Sequence, residues 1–267
     1  MRNWMIRIFT GVVLLLATTS AASPQQALTW QEVRAKFEAA NPILCAALLS
    51  IAEARAQEVT ANLRPTSGGI PIVEITMTVP GAMNVIEHLA RHHSKMVVGG
   101  GTVLDVETAK KCMDAGAHFL TAPGFDCDIV DFTAKHDVVA IPGALTPTEV
   151  VTAWRSGADF VKVFPCAQVG GDAYIRALTR SLSQIPVIAA GGVNQQNAEA
   201  FILAGAIAIG VGSQLIPAEA IERKQSKRIQ ELALRFSKFV REARLRVPPK
   251  PTETLEAAHI SARQCDT

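Results

Sequence analysis

Residues 155–165 read RSGADFVKVFP, and the chain uses the same phrase twice more, as DAGAHFLTAPG at 114–124 and LAGAIAIGVGS at 203–213. Each closes a helical stretch with glycine, adds alanine and opens an apolar run. Glycine suits the left-handed cap that ends a helix, and the small alanine lets the chain turn back tightly. Working outward, the apolar runs PIVEITM, MVVGGGTV, FLTAPG, VVAIPG, FVKVFP, PVIAAGG and AIGVGS alternate with helical stretches between about residues 70 and 215, and ILCAALLSI precedes them. Helix starts are visible at Asp105, Thr146 and Asn194, residue types whose side chains cap free backbone N–H groups. Eight βα units with continuous apolar strands predict an α/β fold, a single-domain (β/α)8 TIM barrel over residues 40–246. An open doubly wound sheet is the alternative. It lacks support, because no G-x-G-x-x-G fingerprint follows an early strand and VGGGTVLD is only superficially similar.

The 267 residues are 49% hydrophobic and 19% charged, enough apolar material for a sizeable core. A net charge of +2 gives no reason to expect a nucleic-acid partner. The five cysteines are odd in number and form no CxxC, so neither a disulfide framework nor a zinc site is supported. Residues 1–22 stand apart: Arg2 and Arg7, an apolar run, then small residues, with no acidic residue before Glu32. This resembles a secretory signal peptide or an organelle presequence, too short for a comfortable membrane span. A misassigned start codon is the alternative, which leaves a cytoplasmic protein. The proline-rich, polar segment 247–267 is expected to be a disordered tail. Just before it, Ile229, Leu232, Phe236 and Phe239 recur at helical spacing, and the basic excess there reads as a solvated helix face.

Two charges are misplaced. In FVKVFP, strand alternation puts Phe160, Lys162 and Phe164 on one side and Val161 and Val163 on the other, so Lys162 is headed for an interior. PIVEITM repeats the puzzle with Glu74. Chemistry in such barrels lies at the C-terminal ends of strands, which singles out Glu74, Thr76, Thr102, Pro123, Pro142, Lys162, Phe164, Gly191, Gly192 and Ser213. Two readings fit the charges. They neutralise one another as a structural pair, or they share a pocket in which an amine attacks a ketone to form a Schiff base and a carboxylate moves protons. The loops AAGGVN and GVGSQL follow the seventh and eighth strands, where backbone amides commonly hold phosphate. Turn punctuation is the plainer account of those glycines.

The stretches IVEITMTVPGAMNVIEHLA, VVGGGTVLDVETAKKCMDAGAHFLTAPG, AIPGALTPTEVVTAWRSGADFVKVFP and GGVNQQNAEAFILAGAIAIGVGSQL, in that order, resemble the 2-keto-3-deoxy-6-phosphogluconate (KDPG) / 4-hydroxy-2-oxoglutarate (KHG) aldolases, class I pyruvate aldolases. The resemblance covers roughly residues 40–245. It implies a carbon–carbon lyase that cleaves a 2-keto-3-deoxy acid to pyruvate and an aldehyde without cofactor or metal. It further implies that Lys162 is the Schiff-base lysine and Glu74 the general acid/base. Thr102 would help hold the pyruvate carboxylate, Pro123 and Phe164 line the pocket, and Gly191, Gly192 and Ser213 match a terminal-phosphate site. The implied partner is a phosphorylated 2-keto acid, and the implied assembly a homotrimer. A phosphogalactonate aldolase, a phosphosugar isomerase or epimerase, and a non-catalytic anion-binding barrel are the competing readings.

This chain departs from that pattern. Thr78 stands where gluconate-type relatives carry an arginine four residues after the glutamate, and a hydroxyl cannot replace a bidentate guanidinium. The first strand offers Leu48 and Leu49 with no arginine before Arg55, and Pro65 interrupts the helix that follows. His88 and His92 form an i, i+4 pair on an outer helix with no acidic partner spaced to complete a zinc site.

Overall fold

The computed structural model describes residues 48–51 and 71–247. The presequence-like segment, Arg55, Pro65 and the C-terminal tail lie outside the described residues. The strands are β1 (Leu48–Ile51), β2 (Ile72–Thr76), β3 (Val97–Gly101), β4 (Phe119–Thr121), β5 (Val139–Ile141), β6 (Gly143–Ala144), β7 (Val161–Val163), β8 (Val187–Ala190) and β9 (Ala208–Val211). All pairings are parallel, in the order β5-β4-β3-β2-β1-β9-β8-β7-β6. The run VVAIPG is one stave broken at Pro142, which has no N–H to give the ladder. Its halves sit at the two ends of that order and join the sheet into a ring. The Lys162 N–H donates to the Pro142 carbonyl at 2.9 Å, and the Phe160 N–H to Ala140 at 3.3 Å.

The register establishes the kind of ring. Glu74 is level with Gly99 and Phe119, and two residues up β4 lies Thr121. Thr121 is level with Ile141, and two residues up lies Gly143, level with Lys162. Lys162 is level with Ile188 and Ala208, and two up lies Gly210. Gly210 is level with Leu48, and two up lies Ser50, level again with Glu74. These two-residue steps complete the circuit with the stagger of a TIM barrel, in which side chains from alternate staves fill the interior in layers. One layer is therefore Glu74, Thr121, Lys162 and Gly210. The layer beneath it is Ile72, Phe119, Phe160 and Ala208, all buried. The barrel has an apolar floor directly under a polar storey.

Helices α1 (Ala82–His92), α2 (Val106–Asp114), α3 (Cys127–Lys135), α4 (Pro147–Arg155), α5 (Gly171–Ser181) and α6 (Ala198–Leu203) surround the ring. α7 (Ala218–Glu222) and α8 (Ser226–Leu245) follow, with α8 packed on α6. Asp105 accepts the Thr108 N–H at 2.6 Å, and Thr146 forms a reciprocal capping box with Glu149 ahead of Pro147. The three Gly-Ala phrases close their helices identically. Gly116, Gly157 and Gly205 adopt φ of 97°, 92° and 103°. Their N–H groups bond Met113, Trp154 and Ile202, and the following alanine N–H groups reach back to Cys112, Ala153 and Phe201. That double bond pattern is the Schellman cap. On α8 the spacing of Ile229, Leu232, Phe236 and Phe239 is realised: Ile229 and Phe236 are buried and the other two pack against the core.

Candidate active site

Glu74, Thr121 and Lys162 come from β2, β4 and β7, distant in sequence, and the layer geometry brings their heads together. Lys162 Nζ lies 3.3 Å from Glu74 Oε1 and 3.2 Å from Thr121 Oγ1. Its ammonium end is 5.6 Å from the centroid of the Phe164 ring. Glu74 is 2% exposed, Thr121 1% and Lys162 8%. Two opposite charges out of water persist only when each finds the other and further hydrogen bonds.

The glycine triplet of β3 makes this arrangement sterically feasible. A Cβ on Gly101 would stand 2.0 Å from Glu74 Oε1, and one on Gly99 would stand 2.3 Å from the Phe119 ring. The missing inward side chains are the space in which the carboxylate and the floor phenylalanine sit. Outward-facing Gly100 does the same for Cys112, whose Sγ would be 2.7 Å from a Cβ there.

Above the layer opens a cavity of about 450 Å³ bordered by Glu74, Thr76, Thr102, Pro123, Lys162 and Phe164 on one side and by the 190–194 and 210–214 loops on the other. Of the residues singled out in the sequence, Gly191, Gly192 and Ser213 also border it. Thr78, expected to bind substrate, is exposed and does not border the cavity; its hydroxyl lies 2.8 Å from that of Thr76, which does. Pro142 contributes its carbonyl to the Lys162 backbone. Thr102 adopts φ 58°, a left-handed conformation that costs a β-branched residue about 1–3 kcal/mol. Gly191 and Gly192 take φ of 85° and 78°, and side chains there would run into Pro165, Phe164 and Ala167. They are thus pressed against the loop that follows β7.

Three contributors escaped the sequence reading of the site. Thr121 looked like an ordinary strand residue, although its two-residue offset from Phe119 marks it as inward-facing. Gln214 lies one residue beyond Ser213. Asn194, expected to start a helix, lies ahead of one: α6 begins at Ala198 with no side-chain cap. Asn194 Oδ1 instead closes the preceding turn by accepting the N–H groups of Gln196 and Asn197 at 2.9 and 3.1 Å, at the border of the cavity.

Other reactive groups stand elsewhere. The His88 and His92 rings stack at 4.5 Å on α1, in the outer layer. His118 sits at the far end of β4, where Nδ1 is 3.2 Å from the Val98 N–H. Burial pushes the Cys112 and Cys166 thiols up to about 12, which leaves them protonated and unreactive at neutral pH.

The model of the KDPG and KHG aldolase family matches residues 42–232. A 2-dehydro-3-deoxy-phosphogluconate aldolase of Treponema pallidum is 32% identical over 155 residues, 58% of this chain and 74% of that one. The 2-dehydro-3-deoxy-6-phosphogalactonate aldolase of Escherichia coli K12 is 32% identical over 178 residues, 66% of this chain and 84% of its own. Among solved structures, a native KDPGal structure superposes with a TM-score of 0.67 at 28% identity, covering 74% of this chain and 95% of that one. A Legionella pneumophila KDPG aldolase, with pyruvate captured as a covalent carbinolamine intermediate, superposes with a TM-score of 0.66 at 25% identity, covering 72% and 95%. A buried lysine and carboxylate at the mouth of a TIM barrel, and the extent of these matches, lead to one conclusion: the chain belongs to the KDPG and KHG aldolase family.

Proposed function

We propose that this protein is a class I aldolase that cleaves a 2-keto-3-deoxy-6-phosphosugar acid, or 4-hydroxy-2-oxoglutarate, to pyruvate and an aldehyde. The observation that carries the reading is the 3.3 Å approach of Lys162 Nζ to Glu74 Oε1, both buried and both bordering one cavity. The Lys162 amine pair attacks the keto carbon, and the carbonyl π pair moves to oxygen, which takes a proton. The nitrogen gives up a proton to Glu74, which passes it to the carbinolamine hydroxyl; the C–O bond breaks, water leaves, and a protonated C=N iminium forms. Glu74 then takes the proton of the hydroxyl on the carbon two beyond the imine. The bond between that carbon and the one next to the imine breaks, its electron pair forming an enamine as the aldehyde departs. Protonation of the enamine carbon by Glu74 and hydrolysis of the imine release pyruvate and restore the lysine.

In this reading Thr102, held in its unusual conformation, meets the pyruvate carboxylate, while Thr76, Pro123 and Phe164 shape the reacting end. Gly191, Gly192 and Ser213 lie where the substrate's terminal phosphate would rest. Thr78 supports a second substrate, 2-keto-3-deoxy-6-phosphogalactonate, because gluconate-type relatives place an arginine there. Assay of the two epimers side by side separates them. The expected homotrimer is checked by light scattering.

Pyruvate with borohydride tests the reaction directly. Covalent mass on a peptide containing Lys162, absent from Lys162→Ala, is the expected result. No mass on the wild-type protein, or equal mass on the variant, overturns the proposal.

A further inference from the structure

Of the four buried threonines among the described residues, two spend their hydroxyls on backbone carbonyls and Thr76 shares its own with the Thr78 hydroxyl at 2.8 Å. Thr133 Oγ1 donates to Val130 at 2.6 Å and Thr179 Oγ1 to Ala204 at 2.7 Å. Thr121 is different. Its hydroxyl, 1% exposed, meets Lys162 Nζ at 3.2 Å, the nitrogen to which the proposed function assigns the bond-making. We propose that Thr121 is a positioning residue of the Schiff-base chemistry: it aims the lysine lone pair and later holds the imine N–H, so that Glu74 is free to move protons. The inference rests on the aldolase reading above.

A neutral primary amine has two N–H bonds and one lone pair. A carboxylate only accepts, and a hydroxyl oxygen accepts as well. With Glu74 Oε1 at 3.3 Å and Thr121 Oγ1 at 3.2 Å, both N–H bonds are engaged, and the lone pair takes the remaining tetrahedral direction. With Glu74 alone, the amine would be free to turn about its Cε–Nζ bond. Once the iminium forms, nitrogen retains a single N–H. If Glu74 took it, the carboxylate would be tied to nitrogen at the step in which it must remove the hydroxyl proton. Thr121, on the neighbouring member of the same layer, can accept that N–H instead. Its role is thus spread over two steps, capture of the ketone and cleavage of the carbon–carbon bond, and it changes no bond of its own.

The test compares Thr121→Val, Thr121→Ala and Thr121→Ser with wild type in two assays, the initial rate of pyruvate trapping by borohydride and steady-state cleavage of 2-keto-3-deoxy-6-phosphogluconate. Circular dichroism confirms folding. Removing the hydroxyl is expected to slow trapping by about tenfold or more, the effect of losing a hydrogen bond to a charged group. It should lower kcat with little change in KM, because the threonine touches the reacting nitrogen and not the substrate's distal end. Thr121→Ser should recover most of the rate. Trapping at the wild-type rate by either folded hydroxyl-free variant overturns the inference while leaving the aldolase reading intact, and so does failure of the serine variant to recover. Absence of any adduct on wild type removes the aldolase reading itself and this inference with it. Valine and alanine make different packing demands, so the hydroxyl's contribution is read from whichever folds, and Thr121→Cys, whose thiol is a poor acceptor of similar size, reads it where neither does.

Discussion

Asp159 and Lys162 lie three positions apart on one segment, and both are buried charges, yet they do opposite jobs. Asp159 stands at the closed end of the ring, where its Oδ2 accepts the Ala140 N–H at 2.9 Å. There it helps seam β5 to the segment entering β7. Lys162 stands one storey up and meets side chains, Glu74 and Thr121, beside an open cavity. A charge that answers a backbone amide completes the fold. A charge that answers a carboxylate and a hydroxyl next to space for a substrate can do chemistry. Burial alone does not separate the two, since both are under a tenth exposed.

The sharpest way to break that comparison is to remove each charge. Lys162→Met should lower retro-aldol turnover by about 10⁴-fold or more, measured with a coupled pyruvate assay. It should also destabilise the barrel by about 3–5 kcal/mol in urea unfolding, because Glu74 is left buried without its partner. Glu74→Gln combined with Lys162→Met should regain much of that stability and none of the activity. If the double variant is no more stable than Lys162→Met, the pair is not a coupled buried unit.

Next in size is the effect of crowding the polar layer. Gly101→Ala places a methyl 2.0 Å from Glu74 Oε1 and should reduce turnover by about 10²-fold, since a displacement on the ångström scale is enough to spoil a reactive geometry. Gly99→Ala meets the Phe119 ring instead, and its effect should be on folding, about 1–3 kcal/mol in the same urea assay. At the structural end, Asp159→Ala should cost about 1–3 kcal/mol by leaving the Ala140 N–H without this acceptor. Turnover per folded molecule should stay at the wild-type level.

Smallest near neutral pH is the behaviour of the thiols. Cys112 and Cys166 are held protonated up to about pH 12 by burial, whereas the free thiol's ordinary value is 9.0. Between those limits the unfolded chain has lost protons that the folded chain keeps, so stability should fall as pH rises through that window. At pH 8 iodoacetamide should modify exposed Cys127 and leave Cys112 and Cys166 unmodified in the folded protein. Alkylation of either buried thiol under those conditions would show a looser barrel than the register implies.

Much of this was legible in the chain because it is local or periodic. The Gly-Ala caps, the starts at Asp105 and Thr146, and the alternation around Glu74 and Lys162 each depend on residues within a few positions of one another. The break at Pro142 was half visible: the proline could be seen, but not that its two flanks would carry the ring closure. Thr121 was not legible as a site residue because its meaning comes from stagger. Only when every stave is placed with its two-residue step does a threonine on β4 come level with a lysine on β7. The space left by Gly99 and Gly101 has the same origin, since absence of a side chain matters only once the opposing Phe119 and Glu74 are known.

The three Schellman caps all lie where helices feed back into strands, at the rim opposite the cavity. Their hydrogen bonds rely on glycine conformation and backbone atoms, and on nothing that borders the substrate. Substitutions at the mouth can therefore leave the entries of β4, β7 and β9 undisturbed. Thr78 and the residues around it can vary while the same scaffold stays in place beneath them.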